Sequence, residues 1–418
     1  MLQWVKDVNF LLFVLFFCCY AYQIVYVGVR LFKKMPVYSA KSMHKYAVLV
    51  AARNEGQVIG ELLRSIRSQN YPAGLIHIFV VADNCTDDTA AAARSYGAIV
   101  FERHDTRRVG KGYALDHAFQ QIKRLYGLHS FDGYMVFDAD NVLDENYVRE
   151  MNNVFDAGYR AVTSYRNSKN FGYNWISAGY ALWFLRESKY LNGARMICNT
   201  SCAISGTGFL VSSDIVAEDD GWHYHLLTED IQFTIDKVTS KEVIGYSEKA
   251  VLYDEQPVDF KTSWHQRMRW AKGFYQVMRR YGTKLVRGCT AERRFQCYDM
   301  LMTIAPATLL TLAMLAVNFV FGVYGLAAHK YYIVLGTMTQ VGLCALNLYL
   351  TLFFFGLITL VTEWKQIHSK TVKKVLYLFT FPLFMFTYLP IALAAIVRKT
   401  TWVPVRHTFV MNASEIRR

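Results

Sequence analysis

Proline is scarce in this chain, 7 in 418 residues, and charged side chains make up only 19%. A disordered chain needs low hydrophobicity and high charge, whereas 53% of these residues are hydrophobic. Cysteine is dilute, 8 in the whole length, which excludes a small disulfide scaffold and fits a reduced compartment. Cys198 and Cys202 stand four apart without a histidine pair nearby, which favours structural thiols over a metal site. Acidic residues are outnumbered too, 33 against 46 Lys and Arg, for a net charge of +13. Together these balances argue against an ordinary soluble enzyme.

Long uncharged runs lie at the two ends. Residues 8–29 carry no charged side chain, enough to cross a hydrocarbon core of about 30 Å. Residues 301–328, 331–362 and 375–397 are three further runs of spanning length. A cleaved signal peptide does not fit the first run: it exceeds the usual apolar length of about 7–15 residues and lacks a basic leader and a small-residue cleavage site.

Between the ends lies a polar stretch of a size to fold as a domain. Arg30, Lys33 and Lys34 follow the first run, and only Lys6 and Asp7 precede it, so the positive-inside tendency puts that domain in the cytoplasm. Asn199-Thr200-Ser201 fits a glycosylation pattern but falls on that side. If 375–397 crossed once, the basic tail with Arg398, Lys399, Arg406, His407, Arg417 and Arg418 would lie outside. Pro382 and Pro390 break the run's helical character, so a re-entrant or interfacial hairpin is expected to return the tail to the cytoplasm. The alternative is a kinked single span.

The polar stretch alternates strands and helices. Strands are expected at 46–52, 76–82, 98–101 and 134–137, with helices after Gly56, at 86–96 and at 111–126, which implies a mostly parallel sheet. Ligands of such sheets bind beyond the carboxyl ends of the strands, where Asp83 and the pair Asp138 and Asp140 fall. Two carboxylates at i and i+2 on a strand end are hard oxygen ligands for Mg2+ or Mn2+. An Asp-x-Asp alone is weak, being common in turns, and Asp83 to Asp88 also suits a plain acidic helix start. Further on come Thr228-Glu229-Asp230 at a helix start and Gln266-x-x-Arg269-Trp270 on an amphipathic stretch, which singly reads as a basic interfacial helix.

The strand-terminal Asp83, the Asp138/Asp140 pair, Thr228-Glu229-Asp230 and Gln266-x-x-Arg269-Trp270, in this order before a group of membrane runs, resemble the membrane-integrated family 2 processive β-glycosyltransferases, the cellulose, chitin, hyaluronan and poly-N-acetylglucosamine synthases. The resemblance implies an α/β nucleotide-sugar-binding domain of GT-A type with a mostly parallel sheet, plus an α-helical transmembrane region. It assigns Asn54, Glu55 and Asp83 to the nucleoside, and Lys111 to the nucleotide and its phosphates. Asp138 and Asp140 meet the diphosphate and its metal, Mg2+ or Mn2+, and Arg269 the diphosphate. Asp230 is the general base, flanked by Glu229 and Thr228. Trp270 and Gln266 serve the acceptor, with Gly206 and Gly208 beside them where they are not a simple bend. In the tail, Trp402, Arg406 and His407 either close over UDP or anchor the chain to the membrane surface.

The expected divisions are an N-terminal transmembrane helix (1–34), a cytoplasmic glycosyltransferase domain (35–262), amphipathic interface helices (263–297), transmembrane and re-entrant helices (298–397) and a basic cytoplasmic tail (398–418). The first expectation for function is an inverting, processive enzyme of the plasma membrane that polymerises a UDP-sugar, leaning to UDP-glucose and a β-glucan. The others are N-acetylglucosamine, chitin or hyaluronan polymers, a diacylglycerol glucosyltransferase, and a non-enzymatic nucleotide-sensing transporter or receptor. The partners are the UDP-sugar donor, the growing polysaccharide and membrane lipid. The positive charge suits lipid headgroups and a diphosphate, and no motif supports nucleic acid.

Overall fold

The computed structural model describes residues 1–292 and 294–416, those at 306–308 by backbone alone; Arg417 and Arg418 of the tail lie outside them. In chain order the helix α1 (Leu2–Phe32) precedes β1 (Tyr46–Ala52), α2 (Ile59–Arg67), β2 (Ile76–Asp83), α3 (Thr89–Ser95), β3 (Ile99–Arg103), α4 (Lys111–Leu125) and β4 (Gly133–Asp138). A second group follows: β5 (Val142–Leu143), α5 (Tyr147–Asp156), β6 (Ala161–Ser168), α6 (Trp175–Arg186), α7 (Gly193–Ile197), β7 (Phe209–Ser212), α8 (Ser213–Glu218), α9 (Glu229–Thr239) and β8 (Ile244–Asp254). The rest is helical: α10 (Phe260–Thr290), α11 (Phe295–Ile304), α12 (Pro306–Ala327), α13 (Tyr331–Thr362), α14 (Thr371–Phe386), α15 (Tyr388–Val397) and α16 (Ala413–Ile416).

One sheet runs in the order β3-β2-β1-β4-β7-β6-β8-β5. Its first four strands are parallel, and β1, covered on both faces, is almost wholly apolar and buried, as a central parallel strand must be. The register pairs Ala52 with Ala82 and Ala51 with Asp138. Parallel strands end on one edge, so the loop after β1, Asp83 after β2 and Asp138 after β4 stand side by side on one rim. Beyond β4 the sheet is mixed: β7 runs antiparallel to both neighbours, and β6 and β8 pair in parallel.

Among the described residues, four helices are long and apolar enough to cross a membrane: 2–32, 309–327, 331–362 and 371–397. The uncharged run from 301 is split, because the residue before Pro306 leaves helical geometry and Pro306 opens α12. Asn9 on α1 and Asn318 on α12 are buried and exchange side-chain hydrogen bonds at 3.2 and 2.7 Å. Such amides between membrane helices contribute roughly 0.6 kcal/mol. Nearer the α/β domain, Arg195 is fully buried against Asp299 at 2.7 and 2.8 Å, and Asp299 accepts from Tyr22 (3.0 Å) and Tyr26 (2.7 Å) of α1. That cluster ties α1, α7 and α11 together with every carboxylate oxygen satisfied.

The expected hairpin at 375–397 is not formed. Thr387, between α14 and α15, keeps helical dihedrals (φ −65°, ψ −15°), so the chain continues in one bent helix. Pro390 sits in the first turn of α15, where a missing N–H costs least, and Pro382 lies inside α14. Both ends of this helix touch the α/β side: Lys373 Nζ donates to Gly172 O at 2.6 Å, and Lys272 Nζ to Ala395 O at 3.0 Å. The helix thus lies along the domain, and the tail after it runs back over the sheet rim.

Candidate active site

At the rim, Asn54 takes a left-handed conformation (φ 57°) that its short polar side chain tolerates, and its Oδ1 accepts from Thr86 N at 2.8 Å. Asp83 is buried and paired with Arg103 at 2.6 Å; burial raises its carboxyl above the usual range, and Arg103 opposes that. Arg103 is the last residue of β3, past the point where the sequence pattern ended the strand, and so was not foreseen.

Asp138 keeps 38% of its side chain exposed and takes Lys111 Nζ at 2.5 Å. The lysine, first residue of α4, also donates to Gly206 O at 2.8 Å. Asp140 turns inward: its Oδ2 accepts from Glu255 N at 2.8 Å and its Oδ1 from Asn141 Nδ2 at 3.2 Å. Burial opposes its charge, yet His407 and Lys169 hold its carboxyl below the usual range. The two acids expected as a metal pair therefore differ, one open to solvent and one engaged beneath it.

Glu229 and Asp230 open α9, where the helix dipole favours anions. Burial, then the charge of Asp230, pushes Glu229 up to about 7. Burial raises Asp230 as well, against hydrogen bonds from the Ile231 and Gly206 N–H groups and the charges of Lys111 and Arg269. Gly206 (φ 80°) and Gly208 (φ 68°) both need the left-handed region. A Cβ on Gly206 would stand 3.9 Å from Asp230 Oδ2, and one on Gly208 only 2.0 Å from Leu252 Cδ2. The loop is therefore more than a bend, because it lies against the carboxylate.

Arg269, on α10, donates to Leu227 O at 3.0 Å, just before Thr228. Trp270, one residue on, meets the rings of Tyr180 (5.7 Å) and Phe184 (6.1 Å) edge-on and so is packed against α6 rather than lying free at a headgroup level. The buried Oε1 of Gln266 has no hydrogen-bond partner. Helix α10 reaches α9 because Gly273 has no side chain: a Cβ there would lie 2.4 Å from Thr228 Oγ1. Gly273→Ala should push the two helices apart and lower stability by about 1–3 kcal/mol, which denaturant unfolding of the purified chain checks.

The tail crosses the same rim. Trp402 stacks on the Arg53 guanidinium at 5.3 Å, His407 Nδ1 meets Glu55 at 2.9 Å, and Glu255 accepts from the Thr408 and Phe409 N–H groups at 2.9–3.1 Å. Arg406 is exposed. Burial, opposed by His407, raises Glu55 to about 7. His407 rises to about 10, since Asp140, Glu55 and Glu255 together outweigh burial of its charged ring. Arg53, Glu255 and Lys169 escaped the sequence reading because they meet the site only through folding.

A profile of the glycosyltransferase like family 2 matches residues 44–273, over half of the chain. The chain belongs to that family. It is 25% identical over 264 residues to the probable glycosyltransferase YdaM of Bacillus subtilis (58% of each chain). It is 26% identical over 235 residues to the beta-monoglucosyldiacylglycerol synthase of Synechocystis (55% of this chain, 47% of that one). It is 27% identical over 245 residues to the poly-beta-1,6-N-acetyl-D-glucosamine synthase of Staphylococcus epidermidis (56% and 55%). The chain spans about half the length of the curated relatives it matches. Among solved structures, the mannosyltransferase PcManGT of Pyrobaculum calidifontis, in complex with GDP-Man and Mn2+, superposes with a TM-score of 0.59 at 16% identity, covering 95% of this chain and 99% of that one. That likeness shows the GT-A fold.

Proposed function

We propose that this family 2 glycosyltransferase is an inverting hexosyltransferase that moves a sugar from UDP to an acceptor hydroxyl held at Trp270. The observation that carries the reading is the convergence on one rim of an open carboxylate, Asp138, a half-buried acid at a helix start, Asp230, and the Arg269-Trp270 pair on a helix packed against that start through Gly273 and Thr228. Asn54, Glu55 and Asp83 line the nucleoside end, and Lys111 and Arg269 face the diphosphate. Asp230 takes the proton of the attacking hydroxyl, which needs a carboxylate within hydrogen-bond reach. Glu229 and Thr228 hold it, and Gly206 lets the acceptor come close, whereas Gly208, expected beside it, is buried against Leu252 and Ser164.

The donor set fits a divalent ion: Asp138 offers open oxygens, and Asp140 retains lone pairs beyond its two hydrogen bonds. Mg2+ or Mn2+ bound there would neutralise charge on the departing diphosphate. The fold neighbour's Mn2+ supports this. Lys111, now on Asp138, is then free to turn to the phosphates.

For the acceptor, the first reading is processive synthesis of a β-glucan from UDP-glucose, passed across the plasma membrane by the apolar helices, with N-acetylglucosamine polymers next. The second is transfer of one sugar to a membrane lipid, supported by the name of the Synechocystis relative and by Tyr180, Phe184 and Phe384, which fill the space behind Trp270. Radiolabelled UDP-sugars with Mn2+ separate them: label in polymer supports the first, label moving with lipid the second. In either case Trp270→Ala should raise the acceptor KM up to about tenfold while UDP affinity holds, because the lost ring, worth about 0.5–1.5 kcal/mol, serves the acceptor and not the nucleotide. The domain side is read as cytoplasmic from Arg30, Lys33 and Lys34.

The tail is read as a gate over the nucleotide, with Trp402, Arg406 and His407 facing it. A free histidine titrates near 6.5. His407 raised to about 10 therefore stabilises docking fully below the free value and loses that contribution as pH rises through about 10. Trypsin should cut after Arg398, Lys399 and Arg406 several-fold faster in His407→Ala, and in the native chain as pH climbs, relative to cuts elsewhere.

A further inference from the structure

The 205–208 loop meets three of the groups assigned above, Asp230, Lys111 and Asp138. Gly206 lies against Asp230, whose Oδ2 would stand 3.9 Å from a Cβ there, and Gly206 O accepts from Lys111 at 2.8 Å. Thr207 Oγ1 accepts from Asp138 N at 2.9 Å and donates to Asn141 Oδ1 at 2.5 Å. A shift of this loop thus displaces base, lysine and donor carboxylate together. Two side chains outside the assigned set fix it. Arg166 Nη1 donates to Ser205 O at 3.0 Å, and Ser205 Oγ donates to Glu187 Oε1 at 2.8 Å.

Arg166 is itself fully restrained. Its Nε donates to Asp254 at 2.6 Å, and Asp254 accepts from Gln256 at 2.6 Å. The guanidinium lies 3.6 Å from the centre of the Phe184 ring, whose ring also meets Trp270. One side chain therefore links the loop that carries the base contact to the aromatic ring behind the acceptor platform.

The backbone at both residues departs from regular geometry. Pairing of β6 with β8 jumps from Ser164 opposite Ser247 to Tyr165 opposite Val251, immediately before Arg166. Such bulges re-aim side chains next to active sites. Glu187 opens a π-helical turn, Glu187–Asn192, another form that gathers at functional sites.

We propose that Arg166 is a positioning residue for sugar transfer, setting Asp230 and Trp270 in register through Ser205 and Phe184, with Glu187 as its partner on the loop. This rests on the reading of Asp230 as the base. No substrate contact is asked of Arg166, and the nucleoside end of the rim at Asn54, Glu55 and Asp83 lies away from the loop it holds, so UDP affinity should fall far less than the rate.

The test uses the full chain purified in detergent with Mn2+, UDP-glucose and UDP-N-acetylglucosamine as donors, and UDP as binding probe. Arg166→Gln should lower kcat about 100-fold, the scale of an ångström misplacement, with UDP Kd within about threefold of native. Arg166→Lys can reach Ser205 or Asp254 but not both, and should recover only part of the rate. Adding Glu187→Gln to Arg166→Gln should cost less than the product of the single effects, because both act on Ser205. A kcat near native, a parallel fall of UDP affinity and rate, or fully multiplicative effects would overturn the positioning role. A native chain that binds UDP but releases none from either donor would instead overturn the sugar-transfer reading on which it rests.

Discussion

Asp230→Asn should abolish transfer, with kcat down about 1,000-fold and UDP affinity unchanged, the middle of the range for loss of a general base. The substitution is nearly isosteric, and the amide fits the same place at the start of α9 beside Gly206. What it loses is the ability to take a proton. The start of α9, the approach of α10 at Gly273 and the Lys111–Asp138 pair all stay in place. Glu229→Gln should cost less, because Glu229 is the more buried neighbour, not the proton acceptor. UDP release measured against donor concentration for both variants checks this. Equal losses in the two would make the pair a structural feature of the helix start.

The pH profile of kcat should fall on the acid side at a pH above the usual carboxylate range. Burial raises both neighbouring carboxyls, and the charge of Asp230 raises Glu229 further, to about 7. The sign follows from the base's role: a raised pKa leaves it protonated as pH drops, and activity is lost downward. Below the midpoint the rate should drop about tenfold per pH unit, a loss of about 100-fold by two units. Glu229→Gln removes the like charge and should move this limb to lower pH. The docked tail titrates on the alkaline side, through His407, so the two limbs are separable by His407→Ala. A flat profile, or one whose acid limb ignores Glu229→Gln, would count against Asp230 as base.

The parallel half of the sheet was legible because its strands are unbroken apolar runs that end in an acid, and a sheet with covered faces leaves no other place for that acid than the rim. Strands β6 and β8 were not: Arg166, Asn167, Ser168 and Glu248 interrupt their apolar pattern. Arg166 holds the loop beside Asp230, while Asn167 bonds Gln366 and Glu248 pairs with Arg30 and Lys189, so the strands carry polar groups for contacts that only folding brings together. Motifs gave Asp138, Asp230 and Trp270 but not their distances, since Gly273 against Thr228 and Arg166 against Ser205 join segments far apart in the chain. The prolines at 382 and 390 were read as a reversal. Inside a packed membrane-side helix they bend the chain at Thr387 and no more.

The most direct test of sugar transfer itself is the product's stereochemistry. The purified chain, given an α-linked UDP-sugar labelled at the anomeric carbon together with Mn2+, should release UDP and form a β-linked product by NMR, and Asp230→Asn should form none. An α-linked product, or full turnover in Asp230→Asn, would contradict the account.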